Sequence, residues 1–124
     1  KKAKEGIYQE KAMAKLTDAQ IHRHFTKLPA GNYQVKPHLQ DLIRFRPHDL
    51  MSGQPVSRFL DMISCRNVTG YFNEKQKDEL ARMFHAALVP GGFYVMGKTE
   101  YLGREVEGLY TPANSSQKIY TKKE

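Results

Sequence analysis

An α/β fold built on a parallel, nucleotide-type sheet is the class this 124-residue sequence predicts, and three observations carry the prediction. The run Phe59-Leu60-Asp61-Met62-Ile63-Ser64-Cys65 is mostly apolar without clean alternation, the pattern of a strand covered on both faces. A capping box, Asn73 with Gln76, then opens a helix over about 73–89, in which Leu80, Met83, Phe84, Ala87 and Leu88 recur at helical spacing. Pro90-Gly91-Gly92 stops that helix, and Phe93-Tyr94-Val95-Met96 reads as a second buried strand ended by Gly97. Strand, helix, glycine turn and strand make a βαβ unit, which joins parallel strands by a right-handed crossover.

The other elements follow in chain order. Residues 1–8 read as the tail of a helix stopped at Gly6, with lysines in the last turn where the helix dipole favours cations. Thr17 with Gln20 is another capping box; Leu16 can staple to Ile21, and Ile21 with Phe25 marks one face of a short helix over about 17–26. Pro29, Gly31 and Asn32 break it. Tyr33 and Val35 then alternate with polar residues up to Pro37, and Leu42, Ile43 and Phe45 resume an extended pattern, so two short strands with a turn between them are predicted. A loop over 47–55 precedes the core strand. Beyond Gly97 the sequence predicts a terminal hairpin, with strands near 106–110 and 117–121 and a turn over 111–116.

Composition narrows the function classes. The length allows one modest core, and neither a low-complexity tract nor an internal repeat is visible. No apolar run approaches the roughly 20 residues of a membrane span, and the basic start leads into no apolar signal core, so the chain reads as soluble, without membrane insertion. A single cysteine, Cys65, excludes an internal disulfide and a cysteine-rich zinc site, which points to a reducing, cytoplasmic setting. The 20 Lys+Arg against 13 Asp+Glu give +7, but the lysines gather at the two ends. With no basic face interleaved with aromatics, solvated ends or an acidic protein partner account for the charge better than nucleic acid does.

In a doubly wound sheet, ligands bind beyond the carboxyl ends of the strands. Cys65-Arg66-Asn67, followed by Tyr71, leaves the core strand there; Gly97-Lys98-Thr99-Glu100 leaves the next, and Asp49-Leu50 follows the predicted strand at Phe45. Each also has a plainer reading. Cys65 can be a small buried hydrophobe, Arg66 a partner of a surface carboxylate, Asn67 a turn cap, and Tyr71 with Phe72 pure core; spacing alone favours these. The five histidines show no HExxH and no partner at ligand spacing, and there is no GxGxxG or Walker loop. Residue patterns alone therefore stop at part of an α/β nucleotide-type fold whose ligand stays open.

The segment Ile63-Ser64-Cys65-Arg66-Asn67-Val68-Thr69-Gly70-Tyr71-Phe72 resembles the CRNVxxYF signature of CheR-type chemotaxis receptor glutamate O-methyltransferases. Gly6-Ile7-Tyr8, Leu16-Thr17 with Phe25, the stretch from Ile43 to Leu50, Leu88-Val89-Pro90-Gly91-Gly92-Phe93 and Gly97-Lys98-Thr99-Glu100 fall in family order, so the resemblance covers essentially the whole chain. It implies a partial Rossmann-like class I methyltransferase sheet with a small antiparallel β insertion at about 28–46, making 1–124 the carboxyl-terminal part of an S-adenosylmethionine-dependent domain. By resemblance, Asp49 and Leu50 match the pair at the adenosine end of the cofactor, Arg66 and Asn67 match cofactor contacts after the fourth strand, and Tyr71 matches the catalytic tyrosine beside the reactive methyl. No metal is implied.

The implied activity is methyl transfer from S-adenosylmethionine to receptor glutamates, with the cytoplasmic helices of chemotaxis receptors as partners and S-adenosylhomocysteine as product. In the family, a glycine- and serine-containing cofactor loop, a ribose-binding acid and a helical domain precede the matched part, so the chain by itself is expected to be inactive. The short connection over 26–32 suggests a type that does not depend on a receptor tail. A chain with unpaired strand edges is expected to form a homo-oligomer. The alternative is a catalytically inactive module that uses the same half-fold to bind a signalling partner.

Overall fold

The computed structural model describes residues 2–124; Lys1, first residue of the predicted helix tail, lies outside them. The chain divides into two compact units, one ending at Pro47 and one spanning His48–Glu124.

In the first unit, α1 (Lys2–Glu5) ends at Gly6, whose φ of +64° is the left-handed conformation that turns the chain into β1 (Ile7–Tyr8). The Thr17–Gln20 capping box forms in both directions, at 3.1 and 2.9 Å, and opens α2 (Asp18–His24). The helix stops two residues before the predicted end: Phe25, expected on its face, instead begins β2 (Phe25–Lys27). β2 pairs antiparallel with β3 (Tyr33–Val35), which also pairs with β1, giving a three-stranded sheet in the order β1-β3-β2. Tyr8 and Phe25 meet edge to face across it, ring centroids 6.4 Å apart.

The strand predicted at Leu42, Ile43 and Phe45 does not form. Pro37, lacking an N–H and fixed in φ, sits in the first turn of α3 (Pro37–Gln40) and commits the chain to helix. The N–H groups of Leu42 and Ile43 then donate back to Leu39 and Gln40, at 3.0 and 3.1 Å, so no ladder is available to them. The small antiparallel sheet takes its central strand, β3, from the expected span 28–46 and its two outer strands, β1 and β2, from residues before that span.

In the second unit, β4 (Leu60–Cys65) lies parallel to β5 (Leu88–Met96), paired from Met62↔Phe93 to Cys65↔Met96, with α4 (Glu74–Ala87) as the crossover. The predicted βαβ unit is present, with the Asn73–Gln76 capping box formed at 3.0 and 2.9 Å. Pro90-Gly91-Gly92 acts as an irregularity within β5 rather than a turn before it. Leu60 pairs with Leu88, the register then shifts, and Gly91 at φ +77° absorbs the extra length. β5 also pairs antiparallel with β7 (Ile119–Lys122), and β7 with β6 (Tyr110–Asn114), giving the order β4-β5-β7-β6.

The terminal hairpin exists but is displaced toward the carboxyl end. Glu107–Leu109 winds into a 3-10 turn, and the tight turn falls at 115–118 because Asn114 Oδ1 accepts from Ser116 Oγ and the Gln117 N–H. α4 buries Leu80, Ala81, Met83, Phe84 and Ala87 against the sheet. Tyr94, Leu80 and Val106 are fully enclosed, each contributing about 1.5–3 kcal/mol of burial. The Tyr110 hydroxyl donates to the Ala81 carbonyl at 2.6 Å and fastens the hairpin to the helix. Among the described residues no helix is long and apolar enough to cross a membrane.

Candidate functional site

The second unit presents its polar residues where β4 and β5 end side by side. β4 finishes at Cys65, which is buried; burial, then the nearby Glu100 carboxylate, push its thiol pKa up, so it stays protonated and behaves as a small hydrophobe. Arg66 follows, exposed, its Nε donating to the Met96 carbonyl at 3.3 Å. The guanidinium is thus tied to the end of the neighbouring strand rather than to a surface carboxylate.

Asn67 has a left-handed backbone, φ +61°, which asparagine tolerates better than most residues. This turns the chain sharply off the strand. Its side-chain Oδ1 lies where a Cβ on Gly97 would stand, 2.3 Å from that position, so only a glycine there leaves room. The next residues close a 3-10 turn, Thr69–Tyr71, and carry Tyr71 outward with 89% of its surface exposed. Tyr71 is therefore not core; its neighbour Phe72 is the one that packs against the apolar cluster.

Glu100 closes the arrangement from the β5 side, only 8% exposed. It accepts the N–H of Asn67 (2.7 Å), of Gly97 (2.7 Å) and of Thr69 (3.1 Å), and the Thr69 hydroxyl as well. Burial works to raise its carboxyl pKa; the hydrogen bonds from Thr69, Asn67 and Gly97 outweigh it and hold the pKa below the ordinary value. The sequence places Glu100 in a polar cluster after a strand but gives it no role. The available signal is an acid three residues past a strand-ending glycine, within reach of N–H groups that a loop leaves unpaired.

Asp49 and Leu50 lie elsewhere in this unit and do not follow a strand. Asp49 caps a 3-10 turn, Leu50–Ser52, its carboxylate accepting the Met51 N–H at 2.9 Å. Leu50 packs on the core and lines a mainly apolar cavity of about 300 Å³ with Val56, Ile63, Ser64, Cys65 and Phe84. The fold thus brings Leu50 to the strand whose end supplies Arg66 and Asn67, through a cavity that reaches Cys65. Arg66, Asn67 and Tyr71 share one loop and are not among the cavity's lining residues. Among the described residues no cluster of three His, Cys, Asp or Glu side chains is placed to hold a metal ion.

An apolar cavity beside a strand end with an asparagine, an arginine and an exposed phenol just beyond it has the mixed character of a nucleoside-type cofactor site. Comparison with known proteins identifies the family of the chain. The family described as CheR methyltransferase, SAM binding domain, matches residues 1–119. The chain is 33% identical over 101 residues to chemotaxis protein methyltransferase 1 of Pseudomonas aeruginosa, covering 81% of this chain and 37% of that protein. It is 33% identical over 99 residues to a chemotaxis protein methyltransferase of Borreliella burgdorferi, covering 79% and 35%, and 34% identical over 102 residues to one of Listeria monocytogenes, covering 82% and 38%. The chain thus spans little more than a third of the length of these curated relatives. With a βαβ unit whose first strand runs into the CRN…YF loop and a match that runs over nearly its whole length, the chain belongs to the S-adenosylmethionine-binding domain family of CheR methyltransferases.

Proposed function

We propose that the full-length protein transfers a methyl group from S-adenosylmethionine to glutamate side chains of chemotaxis receptors, and that this chain supplies one wall of the transfer site. The observation that supports the reading best is the loop after β4, which turns at left-handed Asn67 and carries Tyr71 into the open, in a domain whose family binds S-adenosylmethionine. When bound, the cofactor offers a sulfonium methyl carbon to a carboxylate oxygen: a C–O bond forms, the S–C bond breaks and its electron pair returns to sulfur. No proton needs to be moved, so the protein's task is orientation, an effect that can supply many kcal/mol of rate enhancement.

The residues suit that task. Leu50 and the apolar cavity beside it accommodate the flat apolar part of the cofactor, with Asp49 its neighbour in the chain; Asn67 offers an amide donor and acceptor, and Arg66 shapes the strand end. Tyr71, outermost, stands beside the path of the methyl group, where its ring edge and hydroxyl orient the incoming carboxylate. The partners that fit are the glutamate-bearing cytoplasmic helices of receptors. The chain alone, holding one wall of the site, is expected to show little or no transfer.

Radiolabelled transfer by the full-length protein to receptor fragments tests the reading. Label that mild alkali releases as methanol identifies a glutamate ester. Alkali-stable label sinks the glutamate assignment. Cofactor binding with no transfer to any receptor favours the alternative, an inactive partner-binding module.

A further inference from the structure

The proposed cofactor contacts sit on a loop, yet a site that discriminates atoms needs that loop fixed. Regular pairing does not fix it: beyond Cys65 the strand has ended, and Asn67 and Thr69 have no ladder partner for their N–H groups. Both N–H groups go to one side chain. Glu100 takes Asn67 on Oε1 and Thr69, twice, on Oε2, while Oε1 also takes the Gly97 N–H at the end of β5. A single buried carboxylate therefore gathers four donors from two adjacent strand ends. Such charge-assisted bonds are about twice as strong as neutral ones.

The acceptor-only character matters. A glutamine of the same shape would turn an N–H₂ toward two of these donors, at least one of them a backbone N–H that cannot accept. Gly97 completes the fit, because its bare Cα leaves the space that Asn67 Oδ1 fills. Left-handed backbone, carboxylate and missing Cβ together set where the Asn67 side chain points.

We infer that Glu100 is a positioning residue for methyl transfer: it does not touch the cofactor but sets cofactor affinity by holding Asn67 in its left-handed conformation with the side chain packed over Gly97. The inference rests on the proposed cofactor role of the Arg66–Tyr71 loop.

A double-mutant cycle in the full-length protein tests it, with S-adenosylhomocysteine as the probe by calorimetry. E100Q is expected to raise Kd tenfold or more, about 1.4 kcal/mol, in the wild-type background, and no more than about twofold in the N67A background. If E100Q leaves Kd unchanged, or weakens binding equally in both backgrounds, Glu100 does not act through Asn67 and the inference falls. If E100Q does not fold, T69V, which deletes only the hydroxyl donor, runs the same cycle with an expected loss of about threefold. If the wild type binds no S-adenosylhomocysteine, the cofactor reading fails; amide hydrogen exchange at Asn67 and Thr69 then judges Glu100 separately. Faster exchange in E100Q supports the holding role, and unchanged exchange overturns it.

Discussion

Replacing Gly97 by alanine perturbs the site at a single atom. The added Cβ would lie 2.3 Å from Asn67 Oδ1, 2.6 Å from Glu100 Oε1 and 3.1 Å from the Asn67 nitrogen. Non-bonded carbon and oxygen rest about 3.3 Å apart or more, so the overlap with Oδ1 is about 1 Å. Glu100 cannot yield freely, since its Oε1 already holds two N–H groups at 2.7 Å. Relief requires breaking at least one of these charge-assisted bonds, about 1.5–3 kcal/mol, with some overpacking left over. The expected loss is about 2–4 kcal/mol, which for a domain of this size lowers the melting temperature by about 10–20 °C. Gly108→Ala is the control: nothing stands within 4 Å of its Cβ position and its backbone is not left-handed, so its stability should change by about 0.5 kcal/mol or less. Thermal unfolding followed by circular dichroism reads the stability, and calorimetry with S-adenosylhomocysteine on the full-length protein reads the site. If Gly97→Ala melts with the Gly108→Ala control and binds the ligand as tightly as wild type, the packing of Asn67 and Glu100 over Gly97 is refuted.

Glu100, its carboxyl pKa lowered in the fold, contributes stability that is fully present above the ordinary glutamate value of 4.5 and lost as pH falls through the folded value. Unfolding measured from about pH 6 down to about pH 3 should show wild type losing its advantage over E100Q; a constant gap between the two contradicts the bonding described. Leu80→Ala empties a site only 1% exposed between α4 and the sheet and should cost about 2–5 kcal/mol in urea unfolding, a change under about 1 kcal/mol being incompatible with the packing. The 124-residue chain by itself should associate through β4, an edge strand flanked by Phe59 (84% exposed) and carrying Met62 (59%). Sedimentation that finds only monomer up to high micromolar concentration, or association that Met62→Lys leaves untouched, sinks that expectation.

Legibility in the sequence followed the range of the interactions. Thr17 with Gln20 and Asn73 with Gln76 are bonds between residues three apart, and both capping boxes appear where the sequence put them. The βαβ unit was readable because an apolar run and an amphipathic helix mark strand and helix in local composition, but β4, read as covered on both faces, is an edge strand with Asp61, Met62 and Ser64 exposed. Leu42, Ile43 and Phe45 misled: apolar and β-compatible, they follow a proline that starts a helix, and no strand pairs with them. The hairpin's register was set by the Asn114 side chain in the turn, which no hydrophobic pattern records. At the site, Arg66, Asn67 and Tyr71 were marked by their position after a strand and by the family signature. What Glu100 does depends on N–H groups more than thirty residues away in the chain, a relation visible only once β4 and β5 lie side by side.

Cofactor affinity of the Asn67→Ala variant of the full-length protein tests the central claim most directly. If the loop after β4 is the cofactor wall, removing the amide should weaken S-adenosylhomocysteine binding by about 1–3 kcal/mol, roughly fivefold to more than a hundredfold, with the fold intact. An Asn67→Ala protein that stays folded and binds S-adenosylhomocysteine with unchanged affinity would contradict it.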